Sequence, residues 1–234
     1  MEPTTDQILD ALCADPTSAR ERLLHTAGMM FAERGPDAVS TRELTKTAGA
    51  NLSAIAYYFG GKDGLYNEAV DYTIADTRKL IDGAEQRLRA ELAAAGADRA
   101  KLARAASAFV CAVLTALLGR GPEQWPWRLV LREIDHPTGA FERLYQAIFA
   151  PFTDAFADLV VAATGREPGE EETVILTNAL LGECLIFLRN RPLVLRNLGW
   201  SEYTPRRIAL VVEIVVDGIL DALDLPRAGA GNGG

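Results

Sequence analysis

The chain has 234 residues, 49% of them hydrophobic and 24% charged, which is the balance of an ordinary globular protein with one large or two small domains. No uninterrupted apolar run approaches the roughly 20 residues of a membrane-spanning helix, and no basic-then-apolar signal opens the chain, so we expect a cytoplasmic protein without a membrane partner. The net charge of −8 initially argues against a nucleic-acid partner.

Three cysteines, Cys13, Cys111 and Cys184, have no spacing that is typical of a disulfide or a metal site. We interpret them as small buried residues in a reducing cytoplasm. The sequence therefore predicts no metal and no cofactor.

Residues 1–17 precede the first strong helical pattern. Pro3 and Pro16 flank a single amphipathic turn, so we predict a flexible arm with a short helix. From about Ser18 to Arg34, apolar residues recur at helical spacing, and Gly35 follows as a helix-ending residue.

Residues 40–62 predict two short helices joined by a tight turn. Ser40 and Glu43 have the spacing of a capping box at the start of the first helix. Gly49 ends that helix without the steric cost of a Cβ, and Asn51 is placed to cap the second helix.

The apolar residues of these two helices predict how they pack. Leu44 and Ala48 on the first helix face Ile55 and Phe59 on the second. The remaining face of the second helix then shows small, apolar or hydroxyl-bearing side chains instead of Lys or Glu, namely Leu52, Ser53, Ala54, Ala56, Tyr57 and Tyr58. Such a pair is typical of a helix-turn-helix, whose second helix enters the DNA major groove.

This stretch resembles the TetR family of transcriptional regulators. The resemblance covers about residues 18–75 and rests on Thr41-Arg42-Glu43-Leu44, Ala48-Gly49-Ala50-Asn51, Ile55, Tyr57-Tyr58-Phe59, Lys62-Asp63 and Leu65-Tyr66. The segment Asn-Leu-Ser-Ala-Ile-Ala-Tyr-Tyr-Phe-Gly-Gly-Lys is similar to the CerR-type branch in particular. Ala56 departs from the pattern, because many relatives carry tyrosine there.

The resemblance implies a set of DNA contacts. Tyr57 and Lys62 match positions that grip phosphates, and we expect the same of Thr41, whereas Arg42 reaches a phosphate or a guanine edge. Against base edges we expect Leu52, Ser53, Ala54 and Tyr58. The alternative for Tyr57 and Tyr58 is packing inside the domain.

The acidity of the chain is unevenly distributed. Residues 20–65 hold six basic and five acidic side chains, for a net charge of +1, so the remainder of the chain carries −9. The acidic part would face away from DNA. We expect non-specific DNA binding to be modest and sensitive to salt.

The rest of the chain is predicted to be helical, without strand alternation, so the fold class is all-α. The helices are placed at about Asp63–Ala94, Asp98–Leu118, Arg128–Asp135, Gly139–Thr164 with a kink at Pro151, Thr173–Arg189 and Pro205–Leu223. The predicted domains are the arm 1–17, a DNA-binding domain 18–75, a ligand-binding and dimerisation domain 76–225 and a flexible tail 226–234.

The last two predicted helices are apolar around most of their circumference, which requires cover on more than one side. The resemblance implies a four-helix bundle across a twofold homodimer. We predict interface positions at Leu181, Leu185, Val212 and Val216. An unusually deep core within one monomer is the alternative.

Aromatic residues are concentrated between residues 109 and 156, and Arg128 and Arg132 lie four residues apart. A mostly apolar pocket with a few orienting polar groups has this composition. We predict ligand contacts from Phe109, Trp127, Arg128, Arg132, Tyr145 and Phe149. Alternatively, the aromatic residues fill the core and the arginines face water.

The sequence thus predicts a homodimeric repressor, not an enzyme, that binds a palindromic operator and is released by a small, largely apolar effector. An enzyme would need convergent reactive groups, and the nearest candidate cluster is Arg132, Glu133, Asp135 and His136. Tight zinc or iron in the purified protein would favour that alternative. A ligand-carrying helical bundle is the third possibility, favoured if operator-type binding is lacking under all conditions.

Overall fold

The computed structural model describes residues 18–120 and 124–227, and every regular element in these ranges is a helix. The predicted all-α class is therefore confirmed. The predicted arm 1–17 and all but the first two residues of the tail 226–234 lie outside the described residues.

The helices agree closely with the predicted positions. They are α1 (Ala19–Arg34), α2 (Thr41–Ala48), α3 (Leu52–Phe59), α4 (Lys62–Ala95), α5 (Arg99–Leu118), α6 (Trp125–Asp135), α7 (Phe141–Leu144), α8 (Ala150–Thr164), α9 (Glu171–Arg189), α10 (Arg191–Leu198) and α11 (Pro205–Ala222). Helix α10 was not predicted. It contains no buried residue, so it lacks the apolar periodicity that marks the other helices.

Two capping boxes were possible at the start of the chain, and only one is complete. Ser18 and Glu21 bond each other's backbone N–H groups at 3.2 and 2.9 Å. Ser40 accepts a hydrogen bond from the backbone N–H of Glu43, as predicted, but the Glu43 carboxylate accepts one from Arg34 at 2.7 Å. The second box is therefore only half formed.

The turn between α2 and α3 has the predicted backbone. Gly49 ends α2 in the left-handed conformation, with φ of 61°. Asn51 occupies the N-cap position of α3 in extended geometry, but its side chain forms no capping hydrogen bond. The prediction of Asn51 as a side-chain cap is wrong in that respect.

A π-helical segment, Tyr145–Phe149, joins α7 to α8. It lies directly before Ala150 and Pro151, and a proline cannot donate to the carbonyl four residues earlier. The wide turn therefore occurs where the sequence predicted a kink.

The described residues form two compact units with an unexpected division of the chain. The first unit contains the residues up to Thr73 together with Trp125–Ala140, and the second contains Ile74–Gln124 and the residues from Phe141 onward. Residues 125–140 were predicted to belong with the ligand-binding domain. Instead, α6 packs against α1 in the first unit.

The second unit is built around α5, which packs against α8, α9 and α11. By length and composition alone, Arg99–Leu118 and Phe141–Thr164 would each suffice to cross a membrane, with mean hydropathies of 1.7 and 1.4. The expectation of no such segment was too strict, because it considered only uninterrupted apolar runs. The three packing partners of α5 account for its apolar composition as a core helix.

The two cysteines in the described ranges differ in environment. Cys184 is buried on α9, and burial raises the pKa of its thiol to about 12, so it stays protonated at neutral pH. Cys111 is exposed, contrary to the expectation of burial, because it lies on the outer face of α5. Cys13 lies outside the described residues.

The first unit gains its tightest packing at Trp125. The Trp125 side chain is buried, and a Cβ added at Gly28 of α1 would lie 2.5 Å from its ring atoms. Tyr72 of α4 stacks on the same indole, with ring centroids 5.2 Å apart. Only glycine at residue 28 allows α1 and α6 to approach this closely.

The far end of α6 is fastened by a buried carboxylate. Glu133 is 0% exposed and accepts hydrogen bonds from the Tyr66 hydroxyl at 2.5 Å and from the Thr138 backbone N–H and hydroxyl, each at 2.9 Å. A charge without solvent contact is tolerated only when it is hydrogen bonded in this way. Burial, and secondly the bond to Glu133, raise the pKa of Tyr66 far above its ordinary value.

Replacing Tyr66 with Phe should lower the free energy of unfolding of the first unit by about 1–3 kcal/mol, because one donor to the buried Glu133 is lost. The wild type should also lose stability as the pH rises past about 10, where the unfolded phenol ionises but the folded one stays protonated. Denaturant titrations between pH 8 and pH 11 measure both effects.

Tyr72→Phe is the matched control, because the Tyr72 hydroxyl makes no hydrogen bond within the described residues. It should leave the stability unchanged. Equal stabilities of the Tyr66→Phe variant and the wild type would show that the Glu133 cluster does not stabilise the unit.

Candidate nucleic-acid interface

The surface of α3 is exposed because one side chain holds the helix in place. Ile55 is its only buried residue, and it faces α1 and α2, the helices against which α3 packs. Leu52 is 57% exposed and Tyr57 is 81% exposed. An apolar residue and an aromatic residue standing in water on one short helix mark a surface that is prepared for a partner.

All eight predicted DNA contacts lie in the first unit, on α2, α3 and the start of α4. Those fully exposed are Arg42, Leu52, Ser53, Tyr57 and Tyr58, and those half-buried are Thr41, Ala54 and Lys62. The structure thus brings the predicted set together on three consecutive helices. Their individual contacts with DNA remain predictions.

The two tyrosines stand next to each other on α3. The rings of Tyr57 and Tyr58 meet edge to face, with centroids 4.9 Å apart. Packing inside the domain, the alternative for Tyr57, does not agree with its high exposure. Tyr58 is partly covered by its contacts with the rings of Tyr57 and Phe59.

Lys62 has a role inside the unit that the sequence did not reveal. Its ammonium group donates to the carbonyl of Pro36 at 2.9 Å and to that of Val39 at 3.3 Å. These bonds hold the loop between α1 and α2 against the start of α4. A phosphate contact by the same ammonium group would be made by its third N–H.

The basic side chains of this surface divide into bound and available groups. Arg34 pairs with Glu43, and Arg20 pairs with Glu68 at 2.5 Å. Arg42 and Lys46 are exposed and make no ion pair within residues 18–120 and 124–227. Their charges are therefore available to phosphates.

Lys46 and Asn51 are two further candidates that the sequence reasoning missed. Lys46 is exposed on α2, and Asn51 is exposed at the N-terminus of α3 with its amide free of the expected capping bond. Asn51 had been assigned wholly to capping. The lack of Lys and Glu on α3 was the available signal that exposed polar groups beside it deserved the same consideration.

The six predicted ligand contacts do not lie in one unit. Trp127, Arg128 and Arg132 are on α6 in the first unit, whereas the other three are in the second: Phe109, Tyr145 and Phe149. Phe109 is buried and packs its ring against Phe152 and Phe156, so it fills the core. Tyr145 is exposed and Phe149 is half-buried.

The arginines of α6 also differ from each other. Arg132 donates to the carbonyl of Arg34 at 3.4 Å and lies so close to Gly35 that a side chain there would collide with it. Arg128 is exposed. The indole N–H of Trp127 is buried without a hydrogen-bond partner in the described part of the chain.

The suspected reactive cluster at 132–136 is structural. Glu133 and Arg132 are engaged by the contacts described above, and Arg132 also donates to the carbonyl of His136. Among the described residues, no group of three or more His, Cys, Asp or Glu side chains could hold a metal ion.

Two of the four predicted dimer contacts face inward. Leu181 and Val212 are buried within the second unit, while Leu185 and Val216 are half-buried. The exposed large apolar residues of α9 and α11 are different ones: Val174, Ile175, Ile186, Leu210 and Ile214. A helix that is apolar all round does not reveal from its sequence which side the rest of the chain covers.

The fold and this surface together define a helix-turn-helix DNA-binding protein, and comparisons with known proteins agree. Residues 23–69 match the family described as bacterial regulatory proteins, tetR family, and residues 103–223 match the C-terminal domain of the HTH-type transcriptional dual regulator CecR. The CecR regulator of Shigella flexneri is 30% identical over 213 residues, which cover 88% of this chain and 92% of that protein.

Solved structures show the same fold. AibR, crystallised with isovaleryl coenzyme A and operator DNA, superposes with a TM-score of 0.58 at 13% identity, over 86% of this chain and 98% of that one. PfmR of Thermus thermophilus, a TetR-family regulator, gives a TM-score of 0.56 at 17% identity, over 91% of this chain and 100% of the other.

The chain belongs to the TetR family of transcriptional regulators and is of the CecR type. The family resemblance found in residues 40–66 is thus confirmed, and the comparisons give the name of the branch as CecR. The matched relatives are described as transcriptional regulators, and this chain carries their DNA-binding domain.

Replacing Lys62 with Ala should have two effects. Affinity for all DNA sequences should fall about equally, with a salt slope lower by about one unit, because one phosphate contact is lost. The free energy of unfolding should also fall by about 1 kcal/mol, because the carbonyls of Pro36 and Val39 lose their donor. Salt-dependent binding curves and denaturant titrations measure these effects.

Lys46→Ala separates the two effects, since that exposed side chain makes no ion pair or hydrogen bond within the described ranges. It should lower the salt slope without a loss of stability. If Lys62→Ala destabilises the protein but leaves the salt slope unchanged, Lys62 is a structural residue and the phosphate assignment is wrong.

Proposed function

We propose that this regulator is a homodimeric repressor that binds a palindromic operator and is released by a small, largely apolar effector. The observation that supports it most directly is α3, a helix of eight residues with one buried side chain and an exposed face of apolar and hydroxyl groups. The cytoplasm is the proposed location, because the chromosome is there. The Shigella flexneri relative is named a dual regulator, so activation at some promoters is the second candidate function.

The proposed DNA contact divides positioning from reading. The Tyr57 hydroxyl and the third ammonium N–H of Lys62 bind phosphates and set the register of the unit on the duplex. Arg42 and Lys46 add charge at the edge of the groove. Base edges then meet Leu52, Ser53, Ala54 and Tyr58, with apolar contact to thymine methyl groups and hydroxyl contact to donors or acceptors.

Two copies of α3 are needed for a palindrome. Half-sites on one face of the duplex lie about 34–36 Å apart, which a single helix-turn-helix does not span. The exposed apolar residues of α9 and α11, above all Ile175 and Ile214 at 67% and 61% exposure, support a second copy as the partner.

Effector control is supported by two observations. The buried indole N–H of Trp127 lacks a partner among the described residues, and such a group costs free energy unless a ligand or water accepts its hydrogen bond. AibR, which shares the fold, is a regulator crystallised with both an acyl coenzyme A and its operator. We propose Trp127, Arg128 and Arg132 of α6 as effector contacts. Phe109, Tyr145 and Phe149 belong to the other unit, and their contact with an effector stays a prediction.

The proposal includes a route for the coupling. Segment 125–140 belongs to the first unit, and both of its ends continue into chain of the second. A ligand that favours one position of this segment changes operator affinity only by its preference between the two states, commonly about 1–3 kcal/mol or about 5- to 150-fold.

Tyr57→Phe and Leu52→Ala should weaken DNA binding in different ways. Loss of the Tyr57 hydroxyl should lower affinity for every duplex by a similar factor, about fivefold, because a phosphate hydrogen bond carries no sequence information. Loss of the Leu52 side chain should instead reduce the preference for thymine at one operator position by about fivefold, ~1 kcal/mol. Binding to a set of single-substitution operators measures both.

Tyr72→Phe, on α4 away from α2 and α3, should leave all affinities unchanged. If Leu52→Ala weakens every duplex equally, or if neither variant alters binding, α3 does not read the operator as proposed.

Effector binding should be visible in the fluorescence of Trp127. Isovaleryl coenzyme A and a panel of apolar carboxylic acids serve as probes. A compound that binds should change the emission of the wild type but not of Trp127→Phe, and it should lower operator affinity by at least about fivefold. The remaining tryptophans, Trp125 and Trp200, provide the reference signal. A compound that changes Trp127 emission and leaves operator affinity unaltered would show binding without regulation.

A further inference from the structure

One face of α9 is exposed along the whole helix at alternating spacings of three and four residues. Its members, here called the α9 seam, are Glu172, Ile175, Ala179, Gly182, Ile186 and Arg189. This spacing is the one at which helices pack lengthwise in a coiled coil. The inner face of α9, with Leu180, Leu181 and Cys184, packs within the second unit. The apolar and small residues of the seam are therefore left uncovered by the described part of their own chain.

The α9 seam is symmetric under reversal of the helix direction. Counted from a point between Ala179 and Gly182, these two small residues correspond to each other, and so do Ile175 and Ile186 at the next step outward. At the ends, Glu172 corresponds to Arg189. An antiparallel pair of α9 helices would thus match apolar with apolar, small with small and acid with base.

Gly182 supports contact with another helix. It lies in the interior of α9, where glycine costs about 0.5–1 kcal/mol relative to alanine. A Cβ added at Gly182 would meet no atom within 4 Å, so the packing of its own chain does not require the missing side chain. A close helix partner does require it, since small residues at the crossing point let two backbones approach.

Charge selects the direction of the partner. In a parallel pair of α9 helices, Glu172 would meet Glu172 and Arg189 would meet Arg189, whereas the antiparallel pair brings opposite charges together at both ends. A twofold dimer makes each of these contacts twice, because its interface is self-complementary. The second copy of the chain therefore fits the seam in one direction.

We infer that α9 packs against α9 of a second copy in antiparallel orientation, with the twofold axis passing between Ala179 and Gly182. This inference rests on the proposed homodimer and specifies its register. It replaces Leu181 and Leu185 as the central contacts with Ile175, Ala179, Gly182 and Ile186, all of which are exposed.

Disulfide cross-linking distinguishes the orientations. In a background with Cys13 and Cys111 replaced by Ser, and with the buried Cys184 retained, Ile175→Cys and Ile186→Cys are made singly and together. In the antiparallel pair residue 175 faces residue 186 of the second copy, while equal residues are about 16 Å apart along the seam, beyond the reach of a disulfide. The double variant, and a mixture of the two single variants, should form covalent dimers, and each single variant alone should not.

The same samples test the proposed dimer separately. Light scattering of the reduced variants and of the wild type at micromolar concentration gives the oligomeric state before oxidation. A wild-type monomer would overturn the dimer proposal as well as the register. Dimers in which each single variant cross-links to itself would show parallel pairing, and dimers in which no combination cross-links would show a different interface; either result overturns the antiparallel seam and leaves the homodimer intact.

A second variant tests the close approach without cysteines. Gly182→Leu places a large side chain at the crossing point and should shift the dimer towards monomer by at least about tenfold in dissociation constant. Val174→Leu, an enlargement of an exposed apolar residue off the seam, is the control and should leave the constant unchanged. Unchanged dimerisation of Gly182→Leu would overturn the inference.

Discussion

The buried carboxylate of Glu133 is the interaction on which the DNA-binding unit depends. A carboxylate with no solvent contact needs hydrogen-bond donors, and three of them come from Tyr66 and Thr138. Tyr66 lies on α4, one turn after Lys62, and its ring also meets Phe31 of α1 edge to face at 5.2 Å. Glu133 thereby fixes the first turns of α4 against α1 and joins both to α6.

This arrangement explains how α3 can be so exposed and still be held in place. Helices α1 and α4 form the base of the unit, α2 packs on α1, and α3 needs only Ile55 to attach to them. The recognition helix can therefore display Leu52 and Tyr57 without loss of a core. The stability of the unit comes from contacts far from the proposed DNA surface, at Trp125 and Glu133, so DNA-contacting residues can vary with little effect on folding.

Much of the fold could be predicted because its signals are local. Gly49 and Gly165 take left-handed conformations where the sequence placed helix ends, and Ser40 and Asp98 accept the backbone hydrogen bonds of helix N-termini. The exposed face of α3 followed from the identities of eight consecutive residues.

What failed depended on contacts between distant residues or on the burial of one face over another. The assignment of α6 required the fit of Trp125 over Gly28, which no local pattern records. Lys62 was assigned to phosphate without its bonds to Pro36 and Val39, because a lysine's partners are set by tertiary structure. On α9, Leu181 and Ile175 are equally apolar, and only packing distinguishes the inner from the outer residue.

The central claim is that two copies of α3 read a symmetric DNA site. Selection of bound duplexes from a random pool by the purified full chain tests it most directly. The account predicts enrichment of a palindrome whose half-sites are about 10 base pairs apart, or a multiple of that distance, centre to centre. Enrichment of a single asymmetric site, or of no sequence at all, would contradict it.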